Sequence, residues 1–261
     1  MTDPRMPASG PAEAFSLAGK TAIVTGASSG LGSRFVEVLA SAGATVFAAA
    51  RRTERLQALA ERLDHVCPVT CDLTQDLERR RLVDAASKAS GRVDVLVNNA
   101  GASGEPVALA ETTASFLHVM DVNLAAPFHL SCLVASTARP EHPTSIVNIG
   151  SVLGLVAGHP VGGASYCASK AAITGLTREL AAQWAPLGIR VNTLAPGWFR
   201  SEMTEDLFAD EKSRAWVARG TLLRRGGEPS ELDGALLYLA SAASSYMTGQ
   251  VLVVDGGWSS R

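Results

Sequence analysis

Aromatic residues are scarce in this chain, only 5% of 261 positions, so any large core has to be built from Ala, Val, Leu and Ile. Charge of either sign is scarce in the balance as well: the formal net charge is −2, and no Lys/Arg block stands out. Those two absences argue against a nucleic-acid-binding face and against a basic tail for anionic lipid. Long apolar runs are also missing. The most apolar stretch, residues 35–50, is interrupted by Glu37 and Gly43 and bounded by Arg34 and Arg51, too short and broken to span a bilayer. Residues 1–14 lack the apolar centre of a signal peptide and read as a disordered leader before one domain over residues 15–261. The four cysteines are scattered, and Cys67 and Cys71 have no nearby His/Cys pair to complete a metal site. Reduced thiols in a soluble cytoplasmic protein without a metal are therefore expected.

What is present is a 47% hydrophobic chain of ordered alternation. Short apolar runs at 21–25, 44–50, 66–71, 93–97, 145–149, 189–194 and 251–254 read as buried strands. Between them, stretches with helical periodicity cover 31–42, 53–63, 74–90, 112–138, 165–184 and 229–242, with a mostly helical excursion at 203–219. The long stretch 112–138 carries Pro127 and is expected to break there. Alternating strands and helices imply an α/β fold: a single doubly wound parallel sheet of Rossmann type, with helices on both faces.

The first strand runs into Thr25-Gly-Ala-Ser-Ser-Gly-Leu-Gly32, which opens a helix. Gly26, Gly30 and Gly32 allow a tight turn, close approach of a pyrophosphate to the backbone, and close helix packing. The helix start then offers free N–H groups and partial positive charge to phosphate. The second strand ends in Ala50-Arg51-Arg52, with no acid between Leu39 and Arg52. An NAD enzyme usually has Asp or Glu near that point for the ribose 2′-OH; two arginines suit a 2′-phosphate instead, favouring NADP(H) over NAD(H).

Tyr166 and Lys170 stand four residues apart on an expected helix, hence on one face. A phenol with pKa near ~10 is a poor base until a neighbouring ammonium stabilises its anion. Such a Tyr can protonate a nascent alkoxide or take a proton from an alcohol. Ser151, just after the fifth strand, can donate to a substrate oxygen as charge develops on it.

Thr25-Gly-x-x-x-Gly-x-Gly32, Asn98-Asn-Ala-Gly101, Ser151, Tyr166-x-x-x-Lys170 and Pro196-Gly197 follow one another in that order. The pattern resembles the short-chain dehydrogenase/reductase family from about residue 17 to residue 257. That resemblance implies an NADP(H)-dependent oxidoreductase moving a hydride to or from a carbonyl or secondary alcohol, commonly as a homotetramer. It implies Asn123 as a further catalytic residue, holding a water that relays protons to Lys170, and Lys170 as a ligand of the nicotinamide ribose. It implies Asp72 at the adenine, Asn98 as support for the central strand or as a cofactor contact, and Pro196, Gly197 and Ser201 at the nicotinamide. By the same resemblance Ser28, Leu31, Leu73, Asn99, Ala100, Gly101 and Phe199 join the cofactor contacts. Ser151 and Tyr166 stand slightly further apart than is usual in the family, the extra residues falling between Gly154 and Gly163. His159, Trp198 and Met203 are the expected substrate contacts, with Leu207, Phe208 and Trp216 nearby in sequence and Arg200 as a candidate for an acidic group. The rival classes are a regulatory NADP(H) sensor and a lyase or isomerase on the same fold.

Overall fold

Strand β1 (Thr21–Thr25) is buried at every position, as a parallel strand covered on both faces must be. The computed structural model describes residues 10–260 and sets β1 beside the central strand, in the interior of a sheet of seven parallel strands. These are β2 (Thr45–Ala50), β3 (Val66–Thr70), β4 (Val95–Asn98), β5 (Thr144–Ile149), β6 (Ile189–Pro196) and β7 (Val251–Val254), in the order β3-β2-β1-β4-β5-β6-β7. The chain steps outward from β1 to β3, then returns across β1 to lay down β4 on its other side. That reversal opens a crevice beyond the carboxyl ends of β1 and β4, the place where open α/β sheets bind ligands.

Alternate strand residues feed the two cores. Val24, Val46, Val97 and Val147 face α1 (Gly30–Ser41), α2 (Thr53–Arg62) and α9 (Asp233–Ala240), through Phe35, Leu39, Leu56 and Leu236. Ile23, Phe47, Leu96 and Ile146 face α3 (Asp76–Ser90), α5 (Ala126–Ala135) and α6 (Ala164–Trp184), through Leu82, Leu130, Val134 and Leu180. Full burial of one such side chain contributes roughly 1.5–3 kcal/mol. A smaller third core gathers Val152, Leu153, Trp198, Phe208 and Val217 beneath α7 (Glu205–Ala209) and α8 (Glu211–Gly220).

Three details refine the reading of single turns. The helix expected over 112–138 consists of α4 (Thr113–Met120), a five-residue π-helical turn Asp121–Ala125, and α5. The irregularity immediately precedes Pro127, which has no N–H to give the preceding turn, so the regular ladder gives way there. By length and composition, 113–135 is the one helical stretch among the described residues apolar enough to cross a membrane. Within this fold its Val119, Ala126, Leu130 and Val134 are buried. The stretch expected to begin a helix at Pro229 starts with a 3-10 turn, Pro229–Leu232, ahead of α9. Of the expected leader, residues 1–9 lie outside the described residues, and Glu13–Phe15 forms a 3-10 turn.

Candidate active site

The crevice is knitted together by short-range bonds at the ends of β1 and β4. The Thr25 hydroxyl accepts from the backbone N–H groups of Asn99 (3.0 Å) and Ala100 (3.1 Å), and Asn99 Nδ2 donates to the Thr25 carbonyl at 2.9 Å. Gly26 has φ +65°, and a Cβ there would lie 2.8 Å from the Ala100 Cα; one at Gly32 would collide with the Gly26 carbonyl oxygen. Only glycine permits this closeness, and the first turn of α1 is thereby held beside the strand ends. Ser29, at the N-cap, makes no side-chain cap bond, which leaves the start of α1 to an outside anion.

The cleft so formed measures about 630 Å³. Its walls carry Gly26, Ser28, Gly30, Leu31 and Gly32 from the turn, Arg51 and Arg52 after β2, Asp72 and Leu73 after β3, and Asn99, Ala100 and Gly101 after β4. Ser151, Tyr166, Lys170, Pro196, Gly197, Phe199 and Ser201 complete it. Residues that lie far apart in the chain are thus gathered in one cavity.

At the catalytic end, α6 carries Tyr166 and Lys170 on one face. Lys170 is buried, its Nζ donating to the Ile149 carbonyl at 2.8 Å and lying 5.7 Å from the Tyr166 ring centre. Burial pulls the ammonium down to about 8, so it is still charged near neutral pH. Burial pushes the Tyr166 phenol above its usual value, while a hydrogen bond with Ser151 opposes that rise. The Ser151 oxygen accepts from Leu153 N–H at 3.1 Å. Its own proton stays available for Tyr166 or for a substrate oxygen. The long Ser151–Tyr166 spacing is absorbed outside this pair. The extra residues fold back on themselves, with Val161 and Gly162 N–H donating to the Gly158 carbonyl at 2.9 and 2.7 Å.

Asn123 occupies the π-helical turn before α5 and is buried rather than on the cleft wall. Its Oδ1 accepts from Ala102 N–H at 2.7 Å, and its Nδ2 donates to Ala102 carbonyl and Ser169 Oγ, both at 2.9 Å. The carboxamide therefore ties the loop after β4 to the helix bearing Tyr166. A Cβ on Gly101 would stand 3.6 Å from Asn123 Oδ1 and 3.7 Å from Lys170 Nζ, so the two polar groups flank that glycine. Asn98 lies beneath the cleft, donating to Ser131 Oγ (3.1 Å) and Asn148 Oδ1 (2.8 Å), the supporting position of its two readings. The carboxylate of Asp72 is held below its ordinary range, first by the Thr74 N–H that it accepts at 2.9 Å.

Of the expected substrate contacts, Met203 lines the cleft at 55% exposure. Trp198 does not: its ring packs edge-on against Trp216 and Trp258, with centres 5.3 and 5.4 Å away. The apolar mass of three indoles is better buried than left facing the cleft. His159 is exposed and off the cleft lining. Arg200 pairs with Glu228 at 2.9 Å and stacks over Phe208, so its charge is already answered within the protein. The cleft also takes in Ala102, Ser103, His118, Val122, Gly150 and Glu202. Ala102, Ser103 and Gly150 follow strand ends and were accessible to a topological argument; His118 and Glu202 arrive by tertiary packing with no local signal.

Residues 26–259 match the family model described as Enoyl-(Acyl carrier protein) reductase. The chain is 38% identical over 249 residues to a tropinone reductase homolog of Arabidopsis thaliana, covering 94% of each. Its structure resembles that of a short-chain type dehydrogenase/reductase from Mycobacterium marinum, with TM-score 0.89 and 36% identity over 95% of this chain and 99% of that one. A gluconate 5-dehydrogenase from Burkholderia cenocepacia, solved in complex with NADP and tartrate, matches with TM-score 0.89 and 34% identity over 97% of this chain and 100% of that one.

Proposed function

The chain belongs to the short-chain dehydrogenase/reductase family, and from that premise we propose that it is a cytoplasmic, NADPH-preferring ketone reductase. Its activity is hydride transfer between a nicotinamide cofactor and a carbonyl or alcohol on a small molecule. The observation that carries the finer reading is the state of Arg51. It stands exposed on the cleft wall after a strand end with no acid, and among the described residues no hydrogen bond or ion pair engages it. Such a guanidinium suits a 2′-phosphate.

The glycine cradle at the start of α1 fits a pyrophosphate, Arg51 a 2′-phosphate, Asp72 and Leu73 an adenine, and Lys170 the second ribose. When bound, the nicotinamide supplies the hydride. Ser151 and Tyr166 then share the task of holding the substrate oxygen, and the Tyr166 hydroxyl gives its proton to the alkoxide as it forms. The Lys170 ammonium favours the phenolate left behind, and Asn123 keeps the loop at Ala102 and α6 in register for a proton relay. Phe199 and Met203 on the wall favour a ketone with an apolar substituent, since water kept from the site strengthens both hydrogen bonds.

The same reading includes a homotetramer. Leu117 and Phe128, on the α4–α5 face, and Tyr246, near the C-terminus, are exposed apolar groups suited to contacts between copies. A panel of ketones and secondary alcohols, assayed by cofactor absorbance with NADPH, NADH and their oxidised forms, tests the activity. Fast reduction of apolar ketones with NADPH is expected; equal rates with NADH would refute the cofactor assignment. No turnover with any partner would favour a sensor, lyase or isomerase.

A further inference from the structure

We propose that Glu202 tunes cofactor choice by competing with the 2′-phosphate for Arg52. The proposal rests on the NADP(H) reading above and deepens it. The two arginines after β2 differ in state. Among the described residues Arg51 has no hydrogen-bond or ion-pair partner, whereas all three guanidinium nitrogens of Arg52 are engaged. Its Nη1 and Nη2 donate to Glu202 Oε1 and Oε2, each at 2.8 Å, and its Nε and Nη2 donate to Ser28 Oγ (3.0 Å) and Ser29 Oγ (2.6 Å). Arg55 adds a third contact to the Glu202 carboxylate, at Oε1 and 3.0 Å.

A carboxylate and a phosphate offer the planar guanidinium the same paired acceptors. Glu202 therefore occupies the donor edge that an incoming phosphate would use, within the same cleft and between the turn of α1 and the segment after β6. It is ionised throughout the working pH range, because hydrogen bonds from Arg52, then Ser29 and Arg55, hold its carboxyl far below the usual range. A phosphate that takes the Nη1–Nη2 edge of Arg52 displaces Glu202 from it; an unphosphorylated cofactor leaves the pair intact. Both side chains are exposed, 42% for Arg52 and 43% for Glu202. Pairs of this kind are modest in strength, so the competition should alter affinity by about two- to fivefold.

The test measures dissociation constants by titration calorimetry for NADPH, NADH, adenosine 2′,5′-bisphosphate and 5′-AMP. Wild type, Glu202→Gln and Glu205→Gln are compared; Glu205→Gln removes the same charge from the same segment without touching Arg52. The expected result is that Glu202→Gln binds NADPH and the bisphosphate about two- to fivefold more tightly, with NADH and 5′-AMP moving by less than that. Retained NADH binding also reports that the variant is folded, and Glu202→Ala takes its place if it is not. Unchanged or weaker NADPH binding in the Glu202 variant, or equal tightening in Glu205→Gln, overturns the proposal. Wild type that binds the bisphosphate no better than 5′-AMP overturns the NADP(H) reading and this proposal together. Wild type that discriminates, with no gain in Glu202→Gln, overturns the competition alone.

Discussion

Lys170 Nζ hydrogen-bonds the Ile149 carbonyl at 2.8 Å while standing 5.7 Å from the centre of the Tyr166 ring, so one strand end fixes the ammonium that the phenol must feel. Burial raises the Tyr166 pKa, so unaided the phenol stays protonated near neutral pH and has no phenolate with which to accept a proton. Its proton can nevertheless be given to an alkoxide. Tyr166→Phe keeps the ring and deletes that proton, so kcat should fall by at least ~10² while NADPH affinity changes little. Stopped-flow turnover and cofactor fluorescence check the two halves. Near-normal turnover would remove Tyr166 from the chemistry.

The buried ammonium also makes a stability prediction. Folded Lys170 loses its proton near about 8, whereas its ordinary value is 10.5. Below about 8 both folded and unfolded chains carry the proton, and the full burial penalty stands. Between the two values the unfolded chain binds more protons, so stability from this group rises with pH. Lys170→Met has no such titration, and its lost bond to Ile149 is a constant offset. The wild-type minus Lys170→Met difference in unfolding free energy should therefore climb by about 3 kcal/mol from pH 8 to 10.5. Urea unfolding across that range measures it; a flat difference would contradict the buried, depressed ammonium.

Cofactor choice should turn on Arg51. Removing a charge-assisted contact to phosphate costs about 1.5–3 kcal/mol, or roughly ten- to a hundredfold. Arg51→Ala should raise KM for NADPH by that factor and leave KM for NADH nearly unchanged. Ala50→Asp should go further, repelling the phosphate while offering the 2′-OH an acceptor. An equal effect of Arg51→Ala on both cofactors would show that its charge does not read the phosphate.

Much of this fold and site is legible in the amino-acid sequence. Apolar runs at Thr21–Thr25 and residues 44–50 announce buried parallel strands, because covering on both faces leaves no polar alternation. The glycine turn and Tyr166/Lys170 were legible for a related reason: their chemistry depends on local spacing. What escaped depends on packing between distant segments. The π turn holding Asn123 reflects bonds to Ala102 and Ser169, which no local period encodes. Trp198 follows Pro196-Gly197 like a lid residue, yet Trp216 and Trp258 draw it into their own cluster. The Arg52–Glu202 pair joins residues 150 positions apart, beyond the reach of any motif.

The last prediction concerns how α6 is held at its beginning. Ser165, one residue before Tyr166, is fully buried and its N–H donates to Glu111 Oε2 at 3.2 Å, while its hydroxyl donates to Glu111 Oε1. A carboxylate from another segment thus caps the first turn of the helix that carries Tyr166 and Lys170. Acceptors at helix starts satisfy otherwise orphaned N–H groups, and their negative charge suits the positive end of the dipole. Glu111→Ala leaves the Ser165 groups without that acceptor and should destabilise the protein by about 1 kcal/mol, on the order of a lost cap. Glu111→Gln retains an acceptor and should recover much of that loss. The first turn would also fray, so kcat should drop several-fold in the Ala variant with smaller change in NADPH affinity, and Gln should rescue it. Chemical unfolding and steady-state kinetics on both variants decide the matter. Equal stability and equal kcat in Glu111→Ala would mean that α6 holds its catalytic face without this cap.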